Sequence, residues 1–234
     1  MAGVTIWLSH LWNWIQENAT VFSGLTSVGM LLIWGIYLQL LLHNFRMQRR
    51  PQIIINRGHG SDVNARCIIS NMSEQAVFIQ TIIVQLETSA GKFISDVTDT
   101  TDEQGNLAGG EDQLSEMPES NMLKKMTRQG PLRAGEYMDA GSFNALIRKV
   151  DKDNSIGVDE HCQPTGDVQF KALEIRLVII FGAERRPIGA RRRFKLERSE
   201  QGTNHLEPEV LWTQQMSSRR QRREVRRWQR NLMS

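Results

Sequence analysis

The chain has 234 residues, enough for one well-buried domain with additional segments, and its formal net charge is +3. That charge is unevenly spread: the first 45 residues hold only Glu17, whereas the twelve residues from Arg219 to Arg230 hold seven arginines and one glutamate. Removing that +6 and the −1 of the first 45 residues leaves −2 for residues 46–218, so the folded part has no general nucleic-acid signature, and two cysteines 95 positions apart fit a reducing compartment rather than a disulfide scaffold.

Residues 1–18 contain "IWLSHLWNWIQEN", in which Ile6, Trp7, His10, Leu11 and Trp14 fall near i, i+3, i+4 spacing and Trp12 and Ile15 widen the apolar face. A Trp-rich amphipathic segment too short to span a bilayer is expected to lie along its surface, with Trp7, Trp12 and Trp14 as interfacial anchors. Between Glu17 and Arg46 lie 28 residues without a formal charge, and the core from Val21 to Leu42 has 22 residues. As a helix that core reaches about 33 Å. Twelve of the 22 are Leu, Ile, Phe or Val, contributing on the order of −4 to −7 kcal/mol to insertion against smaller costs from Ser23, Thr26, Ser27 and Gln39. Residues 19–45 are therefore expected to form a transmembrane helix. A cleaved signal peptide fits poorly, because no basic residue precedes the run and charged residues follow it.

Arg46, Arg49 and Arg50 crowd the C-terminal flank, and the N-terminal flank has no basic side chain. Arginine resists translocation, so these three residues set the topology: N-terminus outside, juxtamembrane linker 46–51 and everything beyond it in the cytoplasm of an inner (plasma) membrane protein.

After Pro51 the periodicity changes from helical to alternating. "QIIINR", "ARCIIS", "AVFIQTIIVQLET" and "GKFISDV" read as successive strands separated by Gly, Asp, Asn and Ser clusters. "DVQFKALEIRLVIIF" and "ARRRFKLER" read as two more, joined by "GAERRPIG" with the composition of a hairpin connection. "GPLRAGEYMDAGSFNALIRKV" is expected to return to strand through two glycine turns. About seven strands without β-α-β alternation place residues 52–200 in a mainly β class, an antiparallel sandwich that resembles immunoglobulin-like or fibronectin-like architecture without the disulfide and tryptophan of true immunoglobulin domains. Asp96 to Glu119 contains eight acidic residues and no basic one, which predicts a solvated insertion loop at 96–119, and "ESNMLKKMTRQG" beyond it predicts a short helix.

Catalytic motifs are not apparent. The five histidines are dispersed, "DEHC" at 159–162 lacks any accompanying CxxC or HxxxH, and "RGHGSD" at 57–62 lacks the strand-loop-helix context of a phosphate loop. No cofactor or metal is expected, and the chain reads as a non-enzyme. The final segment, 201–234, is expected to be a basic helical tail. Arg219, Arg222, Arg223, Arg226, Arg227 and Arg230 form a cationic stripe opposite a narrow apolar one of Val225, Trp228 and Leu232. Such a stripe suits anionic lipid or another phosphate-rich partner, and nucleic acid less well. The expected role is a membrane-anchored interaction or sensing module with lipids and a protein partner or second copy. The alternative is a membrane-disrupting, pore-forming effector of a bacterial toxin or phage-defence system.

Overall fold

The computed structural model describes residues 7, 10, 12–14, 16–48, 51–99, 126–159, 161–166, 168–182, 186–198 and 204–233. Most of the expected acidic loop 96–119, and most of the short helix expected after it, lie outside these. The chain divides into two compact units, Met1–Arg49 and Arg50–Ser234.

The first unit contains helix α1 (Ala19–Gln48). Its residues Ala19–Asn44 form the one helix among the described residues long and apolar enough to cross a membrane, and that window is nowhere buried within the protein. Two of its hydroxyls are satisfied without water: Thr26 Oγ1 donates to the Phe22 carbonyl, and Ser27 Oγ donates to the Ser23 carbonyl at 2.8 Å. Such back-bonding removes most of the cost of a hydroxyl in hydrocarbon.

The second unit is mainly antiparallel β. Its elements are β1 (Ile53–Arg57), β2 (Arg66–Asn71), β3 (Val77–Thr88), β4 (Lys92–Asp96), β5 (Gly130–Leu132), β6 (Tyr137–Ser142), α2 (Phe143–Asn154), β7 (Phe170–Phe181), β8 (Ile188–Arg198), β9 (Asn204–Pro208), β10 (Gln214–Met216) and α3 (Arg219–Met233). Three strands form one sheet in the order β1-β2-β6. Seven form the other, ordered β10-β8-β7-β3-β4, with β5 pairing on β3 and β9 on β8. Ten strands thus appear among the described residues where about seven are expected. The additions are β5 and β10, of three residues each and too short to declare a period of two, and β9, of five.

The main core lies between the sheets. Ile53, Ile55, Cys67 and Ile69 of the small sheet meet Val84, Leu86, Leu173, Ile175, Leu177 and Phe194 of the large one. Alternation puts Leu173, Ile175, Leu177 and Ile179 of β7 on one face, as the sequence predicts. In β3 the inward parity switches between Ile79 and Ile82 because the register with β7 shifts between Ile79 and Thr81, the mark of a bulge.

One expected strand is a helix instead. Residues 143–154 form α2, because the Ser142 hydroxyl caps it by accepting from the Ala145 amide and Phe143, Leu146, Ile147 and Val150 fall at i, i+3, i+4 and i+7. This stripe is buried in the main core, where Phe143 meets Phe194 edge to ring at 5.0 Å between centroids. The glycines flanking the segment suggest hairpin turns and mask its helical period.

The outer edge of β1 is closed by side chains rather than by a strand. Thr213 Oγ1 accepts from the Ile55 amide at 2.8 Å, and Gln215 accepts from the Ile53 amide at 3.3 Å while donating to the Ile53 carbonyl at 2.6 Å. Residues 204–233, most of the segment expected as a basic tail, belong to this same unit.

Candidate anion-binding site

Helix α3 begins with a reciprocal cap: the Gln221 amide donates to Ser218 Oγ at 3.4 Å and Gln221 Oε1 accepts from the Ser218 amide at 3.1 Å. Its narrow apolar stripe sinks onto the outer face of the seven-stranded sheet, where Val225 and Trp228 join Ile83, Val178 and Met216 in a second, smaller core. The approach is close enough that a Cβ on Gly189 of β8 would stand 2.7 Å from Val225 Cγ2 and 3.0 Å from Trp228, so this glycine is required by contact rather than by backbone angle. Arg176, held by Glu174 at 2.5 Å and Gln85 at 2.7 Å, places its guanidinium 5.0 Å from the Trp228 ring centroid. The only carboxylate of α3, Glu224, turns to Arg191 of β8 at 2.9 Å.

Docking of one face commits the opposite face to solvent. Arg219, Arg223, Arg226, Arg227 and Arg230 are exposed and Arg222 half-buried, its Nε donating to the Ser217 carbonyl at 2.7 Å. Among the described residues, Arg219, Arg220, Arg223, Arg226, Arg227 and Arg230 meet no carboxylate. An open cleft of about 350 Å³ is lined by Arg186, Pro187, Ser217, Arg219, Arg222, Arg223 and Arg226. A shallower groove follows Arg223, Arg226, Arg227, Gln229 and Arg230. The six arginines singled out in the sequence are therefore brought onto one surface. Its chemistry is that of forked cationic donors, suited to phosphate or carboxylate oxygens.

The remaining sequence candidates are scattered. Trp7, Trp12 and Trp14 are all exposed. Arg46 lies in α1, and Arg49 and Arg50 lie outside the described residues. In "DEHC", the Asp159 carboxylate accepts from the amides of His161 at 2.9 Å and Gln163 at 2.7 Å, which makes it a loop staple. Burial pushes the Cys162 thiol up to about 12, and burial does the same to Cys67. Both thiols are therefore protonated and enclosed at neutral pH. Among the described residues no three His, Cys, Asp or Glu side chains are grouped to hold a metal ion. "RGHGSD" is the β1–β2 connection, in which Gly58 donates to the Arg66 carbonyl at 2.7 Å and Gly60 has φ +98°.

Three contributors were not legible in the sequence. Arg186 reads as part of a hairpin, Arg176 as an ordinary exposed strand residue and Gly189 as a turn residue. The signal available for Gly189 is its position one residue inside a strand, where glycine marks close approach of another segment. No family model, no curated protein and no solved structure matches the chain, so the reading of this surface rests on its own geometry.

Proposed function

We propose that the chain is a single-pass, membrane-anchored, non-enzymatic interaction or sensing module, with its N-terminus outside and residues 51–234 in the cytoplasm at the inner membrane. Its immunoglobulin-like sandwich is presented to a protein partner or a second copy while α3 holds it against the anionic leaflet. The observation that carries this reading is the docking of α3: its apolar stripe is spent on the sheet, and Arg219, Arg223, Arg226, Arg227 and Arg230 are left exposed. A helix already ordered by packing loses little further entropy on meeting a charged surface, unlike a free tail. Four residues, 49–52, join α1 to β1, a tether of at most about 17 Å. A bilayer that holds α1 is then always within reach of the domain. The arginines flanking α1 and the two buried free thiols support the cytoplasmic side.

Residues 51–234, which carry their own core, are expected to float with vesicles containing phosphatidylglycerol and not with phosphatidylcholine vesicles. At about 1 kcal/mol per arginine, Arg227→Gln with Arg230→Gln should weaken that association roughly 30-fold at low salt. These exchanges leave Val225 and Trp228 in place, whereas cutting the chain after Ser217 would uncover Ile83 and Val178. Undiminished flotation of the double variant rejects the role of α3. For topology, alkaline phosphatase fused after residue 234 should stay inactive in cells, since it matures only outside the cytoplasm; activity reverses the orientation.

A further inference from the structure

The β9–β10 connection, residues 209–213, holds three consecutive apolar side chains in solvent: Val210 is 44% exposed, Leu211 85% and Trp212 69%. The other large apolar residues exposed on the second unit, among those described, stand singly: Met72, Phe78 and Tyr137. Isolated apolar residues on a surface are ordinary, whereas a contiguous run marks a contact. On the reading that α1 is anchored in a bilayer, we infer that this connection is a second membrane contact, one that inserts Leu211 and Trp212 into the interfacial layer of the same leaflet.

The connection is built the opposite way from an ordinary loop, because its polar side chains turn toward the protein and its apolar ones away from it. Glu209, at one end, pairs with Arg193 Nε at 2.6 Å, and its amide donates to the Arg193 carbonyl at 3.1 Å. Thr213, at the other end, is buried against β1, where its Oγ1 accepts from the Ile55 amide. Between them the Leu211 carbonyl accepts from Arg192 Nη2 at 3.3 Å, and the same buried guanidinium donates to the Ile55 carbonyl at 2.6 Å. The backbone of the tip is thus fixed before any contact is made, and little ordering entropy opposes insertion.

Reach and chemistry both favour lipid as the occupant. Gln215 meets Ile53 and Thr213 meets Ile55, so Leu211 falls near the level of Arg57, about 13 Å along β1 from its start. Added to the tether of residues 49–52, this keeps the tip within about 30 Å of the end of α1. A bilayer is therefore permanently available to it. Tryptophan joins a large apolar ring to one N–H donor and suits the boundary between hydrocarbon and headgroups, while leucine favours the hydrocarbon. A convex tip of three side chains also offers a protein far less than the roughly 800 Å² per partner of a stable interface. Insertion into lipid needs no complementary surface. The contact differs in kind from that of α3, since burial of apolar area is not screened by salt and needs no anionic headgroup.

The test uses the full chain in nanodiscs with a nitroxide on Leu211→Cys; the native thiols, Cys67 and Cys162, are buried and stay unlabelled. Collisions with oxygen, which concentrates in lipid, and with a neutral nickel chelate, which concentrates in water, report the depth of the label. The reference is the same label on Arg198→Cys, an exposed position at the end of β8. In phosphatidylcholine nanodiscs the oxygen-to-chelate ratio at 211 is expected to exceed the reference by about fivefold or more, and Trp212→Ser should lower it by about twofold or more. A label on Gln229→Cys follows the arginine groove of α3 and should respond only when phosphatidylglycerol is added. A lipid-exposed 211 beside an unresponsive 229 keeps the tip and rejects the leaflet role of α3, whereas a responsive 229 beside a 211 that matches the reference overturns the tip alone. A ratio at 211 that Trp212→Ser leaves unmoved also overturns it. So does a label at 211 shielded from oxygen and chelate alike with dipolar broadening between labels, which would mean that a second copy covers the tip.

Discussion

The seven-stranded sheet has two faces built by the same alternation of side chains and used in opposite ways. Its inner face is a continuous aliphatic layer that meets the small sheet and α2. Its outer face carries a smaller apolar cluster at Ile83, Val178 and Met216, with Ile94 packed against it, beside charged groups: Glu174 with Arg176, and Glu87 with Arg193 and Glu209. The inner face makes the fold, and the outer one attaches a single helix. At about 25 cal/mol per Å² of apolar area, a five-residue cluster supplies a small fraction of what the inner layer supplies. Attachment of α3 is therefore the part of the molecule most readily separated from folding.

The contrast can be broken first on the inner side. Phe194 is fully buried against Phe143, and Phe194→Ala should cost about 3–5 kcal/mol in denaturant unfolding of residues 51–234. A loss below about 1 kcal/mol would contradict the placement of the main core. On the outer side, Gly189→Ala introduces a methyl group 2.7 Å from Val225 and 3.0 Å from the Leu177 carbonyl oxygen, and the overpacking should cost about 1–3 kcal/mol. The sharper reading is local: trypsin should cut at the arginines of α3 while the amides of β7 and β8 keep their protection from exchange. Uniform loss of protection would mean that α3 and the sheet unfold together.

The smallest effect concerns pH. The hydrogen bond from Arg193 holds the Glu87 carboxyl below its ordinary value of 4.5, aided by the charge of Arg193 and by Lys92. A carboxyl with a depressed folded pKa favours the folded state above its unfolded pKa, and this contribution disappears as pH falls through the lower, folded value. Glu87 is partly solvated, so the contribution is about 1 kcal/mol or less. Glu87→Gln should lower stability at neutral pH by about 1 kcal/mol or less, converge with the parent in acid, and so flatten the acid limb below the ordinary value of 4.5; an unaltered acid limb would show that the pair does not couple to folding.

The longer strands were legible because one face of each is buried, which turns alternation into a readable pattern. Leu173 to Phe181 is the clearest case, and α1 is legible for the simpler reason that it has no charged residue before Arg46. Arg192 escapes such reading. Its parity with Ala190 and Phe194 sends it inward, where it donates to the Ile55 carbonyl at 2.6 Å and packs over Phe194. A guanidinium buried by register cannot be told from an exposed one by composition. The amphipathic pattern of α3 could be read, but not where its apolar stripe goes, since Ile83, Val178 and Met216 lie in three strands far apart in sequence. Likewise Arg186 joins the cleft only after β8 and β10 pair, and no local signal links it to Arg219.

The closing of β1 by Thr213 and Gln215 has a consequence for biosynthesis. β1 is the first strand of the domain to leave the ribosome, yet the groups that complete its hydrogen bonding stand 158 and 162 positions later. Until those residues are made, β1 offers unpaired amides and carbonyls to any neighbouring nascent chain, a template for mispairing between polypeptides. Ribosomes that stall upstream of codon 213 should accordingly release aggregating products.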